Sequence, residues 1–173
     1  MKTSLVLTCI GPDRPGLVES LARVVAEHDG NWIESRMAHL AGKFAGVLRV
    51  EIDPAGADAL AGALGRLADG GLRVAVEQSP PAEPSPTQVI RLSLVGQDRP
   101  GIVRDIARVL AGQGVNVEEL ETACAPTPES GGPLFTARAR LCVPPDLPID
   151  DLRAGLEQIA NDLMADVDLE ADD

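Results

Sequence analysis

A ten-residue phrase occurs twice in this chain of 173 residues, and it limits the possible folds more than any other feature. Leu7-Thr8-Cys9-Ile10-Gly11-Pro12-Asp13-Arg14-Pro15-Gly16 returns as Leu92-Ser93-Leu94-Val95-Gly96-Gln97-Asp98-Arg99-Pro100-Gly101, an offset of 85 residues. The correspondence continues downstream, where Asn31 maps onto Asn116 and Glu34 onto Glu119. A period of half the chain means two copies of one small module, not one large domain. The boundaries fall at residues 1–79 for the first copy, 80–87 for a linker and 88–173 for the second copy with an acidic tail. Modules of this size sit near the lower limit for a self-sufficient core, so they are expected to pack together or dimerise.

Each copy reads as strand, helix, strand, strand, helix, strand. Thr3 to Cys9 alternates and is β-rich. Asp13-Arg14-Pro15 opens a helix, with Asp as cap and Pro in the first turn. Leu17, Leu21, Val24 and Val25 form one apolar stripe, and Asp29-Gly30-Asn31 ends the helix. Trp32 to Leu40 and Phe44 to Ile52 flank Ala41-Gly42-Lys43 as a hairpin. Leu60, Leu64 and Leu67 mark a second helix stopped by Gly70-Gly71, and Leu72 to Val76 is the fourth strand.

The second copy repeats this order. Val89 to Leu94 is a strand, and Ile102, Ile106, Val109 and Leu110 are the helix stripe. Val115 to Cys124 and Leu134 to Val143 form a hairpin with a longer loop, Ala125 to Pro133. Leu152, Leu156 and Ile159 lie on the last helix, and Val167 and Leu169 in the last strand. Ser79 to Pro86 is Pro-rich and reads as a stiff, extended linker. The order βαββαβ predicts an α+β, ferredoxin-like module: a four-stranded antiparallel sheet with both helices on one face. The other face is left open, and pairing open faces or sheet edges of two modules covers their apolar surface.

Composition excludes several function classes. Aromatic residues make up 2% of the chain, so the core is aliphatic and base stacking is not expected. The net charge of −12 opposes contact with phosphate backbones. The acidic stretch Asp166 to Asp173 reads as a solvated tail. No apolar run approaches a membrane span, and the N-terminus does not read as a signal peptide. Cys9, Cys124 and Cys142 form no CxxC pair, so neither zinc nor a disulfide framework is indicated, and a reducing cytoplasm is expected. Cys9 and Cys142 read as small core residues, and His28 as a solvated residue near a helix end. Glu118, Glu119 and Glu121 read as a solvated strand edge; Trp32 fills the core or an interface.

Gly11-Pro12-Asp13-Arg14-Pro15-Gly16-Leu17-Val18 and Gly96-Gln97-Asp98-Arg99-Pro100-Gly101-Ile102-Val103, with Asn31 and Asn116 downstream, resemble ACT domains. The tandem arrangement and length are similar to the glycine cleavage system transcriptional repressor family. The resemblance implies modules that bind small effectors, usually amino acids, where the loop between first strand and first helix meets a neighbour. It also implies repressors that act through a partner regulator instead of touching DNA.

The residues of the phrase suit such a ligand. Gly16 and Gly101 leave backbone N–H groups approachable, and a helix's first turn favours a carboxylate. Arg14 and Arg99 supply bidentate donors, Asp13 and Asp98 acceptors for an α-ammonium, and Asn31 and Asn116 both kinds of group. Pro15 and Pro100, with Leu17 and Ile102, complete the candidate set. The same residues also serve structure alone: Asp as helix cap, Pro as helix start, Gly for close packing, Asn for the turn after a helix.

Three functions follow. The favoured one is a non-catalytic, cytoplasmic sensor of an amino acid, without cofactor or metal, homodimeric and acting on transcription or metabolism through a protein partner. The alternatives are a stand-alone regulatory subunit of an amino-acid or folate enzyme and a ligand-free dimerisation module.

Overall fold

The computed structural model describes residues 2–79, 88–126 and 132–171. The chain divides into two units, Met1–Glu83 and Pro84–Asp173. The first contains β1 (Thr3–Pro12), α1 (Leu17–Glu27), β2 (Asn31–Leu40), β3 (Lys43–Ile52), α2 (Ala57–Gly65) and β4 (Arg73–Ser79). The second contains β5 (Gln88–Gln97), α3 (Ile102–Gly112), β6 (Asn116–Pro126), β7 (Pro133–Val143), α4 (Ile149–Leu163) and β8 (Ala165–Ala171). Each unit is one antiparallel sheet, ordered β2-β3-β1-β4 and β6-β7-β5-β8. This is the expected α+β ferredoxin-like module, present twice.

Strand alternation sorts each sheet into two faces. Leu5, Leu7 and Cys9 of β1 and Leu48, Val50 and Ile52 of β3 point to the helices. There they meet Leu17, Leu21, Val24 and Val25 of α1 and Leu60 and Leu64 of α2. In the second unit Ile90, Leu92 and Leu94 meet Ile106 and Leu110 of α3 and Leu152 and Leu156 of α4. Each buried leucine contributes about 1.5–3 kcal/mol, and no polar residue is buried among the described ones. Trp32 is half-buried and packs on the first core. The second core has Val117 at that place, and a small apolar crevice of about 40 Å³ remains between α3 and β6.

Several boundaries differ from the sequence reading. The first hairpin turns through two residues, not three: Ala41 at φ 49° and Gly42 at φ 74°. Two left-handed residues match the twist of the flanking strands. The second helix ends at Gly65, and Leu67 falls in a 3-10 segment, Arg66–Gly70, that packs on the core. Leu72 is buried but precedes its strand, which starts at Arg73.

Asp166 to Ala171 is not a tail. It is most of β8, paired with β5 and alternating half-buried Val167 and buried Leu169 with outward Asp166, Asp168 and Glu170. Charges on an outer strand discourage pairing with other chains. Cys142 is half-buried and lies on the open face, opposite core-facing Leu141 and Val143, whereas Cys9 is in the core as expected. His28 is not simply solvated: its Nδ1 lies 2.9 Å from the Val24 carbonyl, to which it donates in the Nδ1–H tautomer. The Pro-rich linker and the middle of the long hairpin loop lie outside the described residues.

Candidate functional site

The repeated phrase forms the same backbone structure in both units. β1 and β5 run past Gly11 and Gly96, the chain turns, and a helix starts at Leu17 or Ile102. The helix cap is Gly16 at φ 90° and Gly101 at φ 91°, with no side-chain cap at either. Asp13 and Asp98 therefore do not cap, and Pro15 and Pro100 precede the cap instead of opening the first turn. A left-handed cap is a backbone demand that glycine meets without Cβ strain. Ile102 N–H reaches the Arg99 carbonyl at 3.5 Å; without a side-chain cap, the other first-turn N–H groups keep their donor capacity and the positive end of the helix dipole.

The aspartates anchor the loop. Asp13 N–H donates to the Gly42 carbonyl at 3.0 Å and Asp98 N–H to the Pro133 carbonyl at 2.9 Å, tying each loop to its hairpin. Their carboxylates face equivalent positions on the outer strands β2 and β6, across the intervening β3 and β7. Asp13 Oδ2 lies 3.8 Å from His39 Nε2. Asp98 hydrogen-bonds Cys124, which corresponds to His39 in the repeat. Desolvation first, then the Asp98 charge and hydrogen bond, push the Cys124 thiol above its ordinary range. The sequence reading missed this pairing, although the 85-residue offset that joins the phrases also maps His39 onto Cys124.

The arginines take different partners in the two units. Arg14 Nη2 donates to the Gly70 carbonyl at 2.6 Å, stitching the loop to the chain after α2. Arg99 Nη2 lies 3.1 Å from Asp105 Oδ2, and Arg104 holds the other oxygen at 2.9 Å. The Arg104 hydrogen bond leads in holding the Asp105 carboxyl below its usual range, with the Arg104, Arg99 and Arg108 charges helping. Ser20 occupies the place of Asp105 and donates to the Gly16 carbonyl at 2.8 Å. Both arginines thus shape the loop through protein contacts.

Asn31 and Asn116 do not join the loop of their own unit. Asn31 pairs with Glu51, which pairs with Ser4 near the start of β1, whereas the loop follows Pro12 at its end. Asn116 stands opposite Cys142 and Val89 in the same way. Seven strand steps from Ser4 to Gly11 separate the two ends by about 24 Å. One module therefore brings Asp13, Arg14, Pro15, Gly16 and Leu17 together and leaves Asn31 at the far end. Asp98, Arg99, Pro100, Gly101 and Ile102 stand in the same relation to Asn116.

The crevice beside α3 is small and apolar, so it does not suit a zwitterion. Among the described residues no group of three or more His, Cys, Asp or Glu has metal-site geometry. No helix is long and apolar enough to cross a membrane.

The architecture is that of a ferredoxin-like module in two copies. The ACT domain family profile matches residues 3–76 and 88–127, more than half of the sequence, and the chain belongs to that family. A crystal structure of an unknown protein from Galdieria sulphuraria shares 30% identity with a TM-score of 0.87, each chain covered over 100% of its length. A candidate glycine cleavage system transcriptional repressor superposes with a TM-score of 0.72 over 99% of both chains at 16% identity, which is likeness of fold. A formyltetrahydrofolate deformylase from Pseudomonas putida KT2440 matches 49% of this chain and 29% of its own at 24% identity, TM-score 0.42. A comparison with curated proteins finds no significant match.

Proposed function

We propose that the protein is a non-catalytic sensor of a small effector, an amino acid, which regulates transcription or metabolism by engaging a protein partner in the cytoplasm. The observation that carries this reading is the loop itself: a helix N-terminus capped only by a left-handed glycine, built twice. A carboxylate accepts from the first-turn N–H groups, and Asp13 or Asp98 accepts from the ammonium. Arg14 and Arg99 position the loop through Gly70 and Asp105. Membership of the ACT family and the fold shared with a candidate repressor support a regulatory role. The net charge of −12 supports action through a protein partner in place of direct DNA contact.

A thermal-shift screen of the full chain against the common amino acids tests the reading. A ligand at 100 times its Kd stabilises the native state by about 2.7 kcal/mol, which in a chain of this size is several degrees. Asp13→Asn with Asp98→Asn should remove most of that shift, since an ammonium loses its charged acceptors. No shift with any amino acid at millimolar concentration would overturn the reading. So would tight, salt-sensitive binding of duplex DNA by the protein alone.

A further inference from the structure

The open faces of the two sheets differ in chemistry. In the second unit the face carries Glu119, Arg140, Arg91 and Glu170 in one row across the strands, Glu121, Arg138, Ser93 and Asp168 in the next, and Ala123, Thr136, Val95 and Asp166 in the third, so that two of its three rows are dominated by charge. Such a face is solvated. In the first unit the corresponding rows are Glu34, Arg49, Val6, Glu77; then Arg36, Val47, Thr8, Ala75; then Ala38, Ala45, Ile10, Arg73. Its centre is apolar and low in relief, with Ile10 and Val47 each 41% exposed. A broad depression of about 660 Å³ lies over it, lined among others by Thr8, Ile10, Ala45, Val47, Arg73 and Ala75.

We infer that this face is a self-association surface, and that its occupant is the same face of a second copy. The charge pattern decides the occupant and its orientation. A two-fold axis lying between two such faces and crossing the strands along the Val47–Thr8–Ala75 row exchanges the rows on either side. Arg73 of each copy then stands over Glu77 of the other, which makes two complementary pairs, and Arg36, on the outer strand at the end of the axial row, faces the same residue of the other copy. Ile10 meets Val6, the long Arg49 meets the small Ala45, and Val47 meets Val47. An axis along the strands instead sets Glu34 on Glu77, like on like. Neither Arg73 nor Glu77 pairs with a charge among the described residues of its own chain. Facing sheets pack about 10 Å apart and cross at roughly 30°, a displacement that an arginine side chain spans. The charged face of the second unit is a poor alternative occupant, because its arginines and carboxylates lose water against apolar Val47 and Ile10.

Sedimentation equilibrium of the purified full chain over a wide concentration range tests the inference. The expected result is a monomer–dimer equilibrium in which Arg73→Glu and Glu77→Arg each raise the dissociation constant at least tenfold. The double variant R73E/E77R should return it to near the wild-type value. Val47→Glu at the axis should abolish the dimer, and Ser93→Glu on the charged face should leave it unchanged. All four positions face outward, and circular dichroism checks that each variant is folded. A chain that stays monomeric at every concentration overturns the proposal. So does a dimer indifferent to Val47→Glu and to both single charge reversals, or a charge swap that fails to restore association.

Discussion

Ala41 shows how one backbone angle sets a stability. It sits at φ 49° in the two-residue turn between β2 and β3, where its Cβ crowds the carbonyl. The left-handed region costs a non-glycine residue about 1–2 kcal/mol. Ala41→Gly relieves that cost and loosens the unfolded chain, so a net gain of about 0.5–1 kcal/mol is expected in denaturant titration. The Asp98–Cys124 contact is testable by chemistry. Local desolvation and the neighbouring carboxylate both disfavour the thiolate, so alkylation of Cys124 at pH 8 should be slow for an exposed cysteine. Asp98→Asn removes the charge, lowers the thiol's pKa and should speed alkylation. An unchanged or slower rate would mean the contact does not govern the thiol.

At the scale of elements, the glycine cap decides what the repeated loop tolerates. Gly16 and Gly101 lie near φ 90°, so Gly16→Val should cost about 1–2 kcal/mol or more, measured by thermal unfolding. A valine there tests the fold before it tests a ligand. Asp-Arg-Pro-Gly reads equally well as an aspartate cap followed by a first-turn proline and as a loop closed by a left-handed glycine. Residue preferences do not separate the two; the backbone angle does. The element order, by contrast, was legible because the repeat gave each strand and helix two independent readings. Asn31's distance from the loop was also legible in principle. An eleven-residue helix carries the chain back by about 16 Å, so a residue that follows α1 cannot share an end with one that precedes it. Strand β8 was misread in part because its outward aspartates dominate composition, while the apolar alternation of Val167 and Leu169 carries the fold. Open-face chemistry was hidden for a different reason. It depends on cross-strand register, which sets Arg73 beside Ile10 and Glu77 beside Val6, and no local pattern contains that.

The whole molecule is two closed cores, and this separates the effects of mutation. The buried cluster around Leu7, Leu21 and Leu60 shares no residue with that around Leu92, Ile106 and Leu152. A segment holding residues 1–79 and one holding residues 88–173 should each unfold cooperatively when expressed alone. Leu21 is fully buried, and Leu21→Ala should cost the first segment about 2–5 kcal/mol. In a domain of this size each kcal/mol is worth roughly 4–8 °C, so calorimetry resolves the loss easily. Concentration then distinguishes the two segments. If the apolar face of the first sheet self-associates, mass action raises the melting temperature of the first segment as it is concentrated. The second segment, whose open face carries Arg91, Arg138 and Arg140 beside Glu119, Glu121 and Asp168, should melt at one temperature throughout. The opposite pattern, with only the second segment responding to concentration, would place self-association on the charged module and remove the basis for the apolar face as its seat.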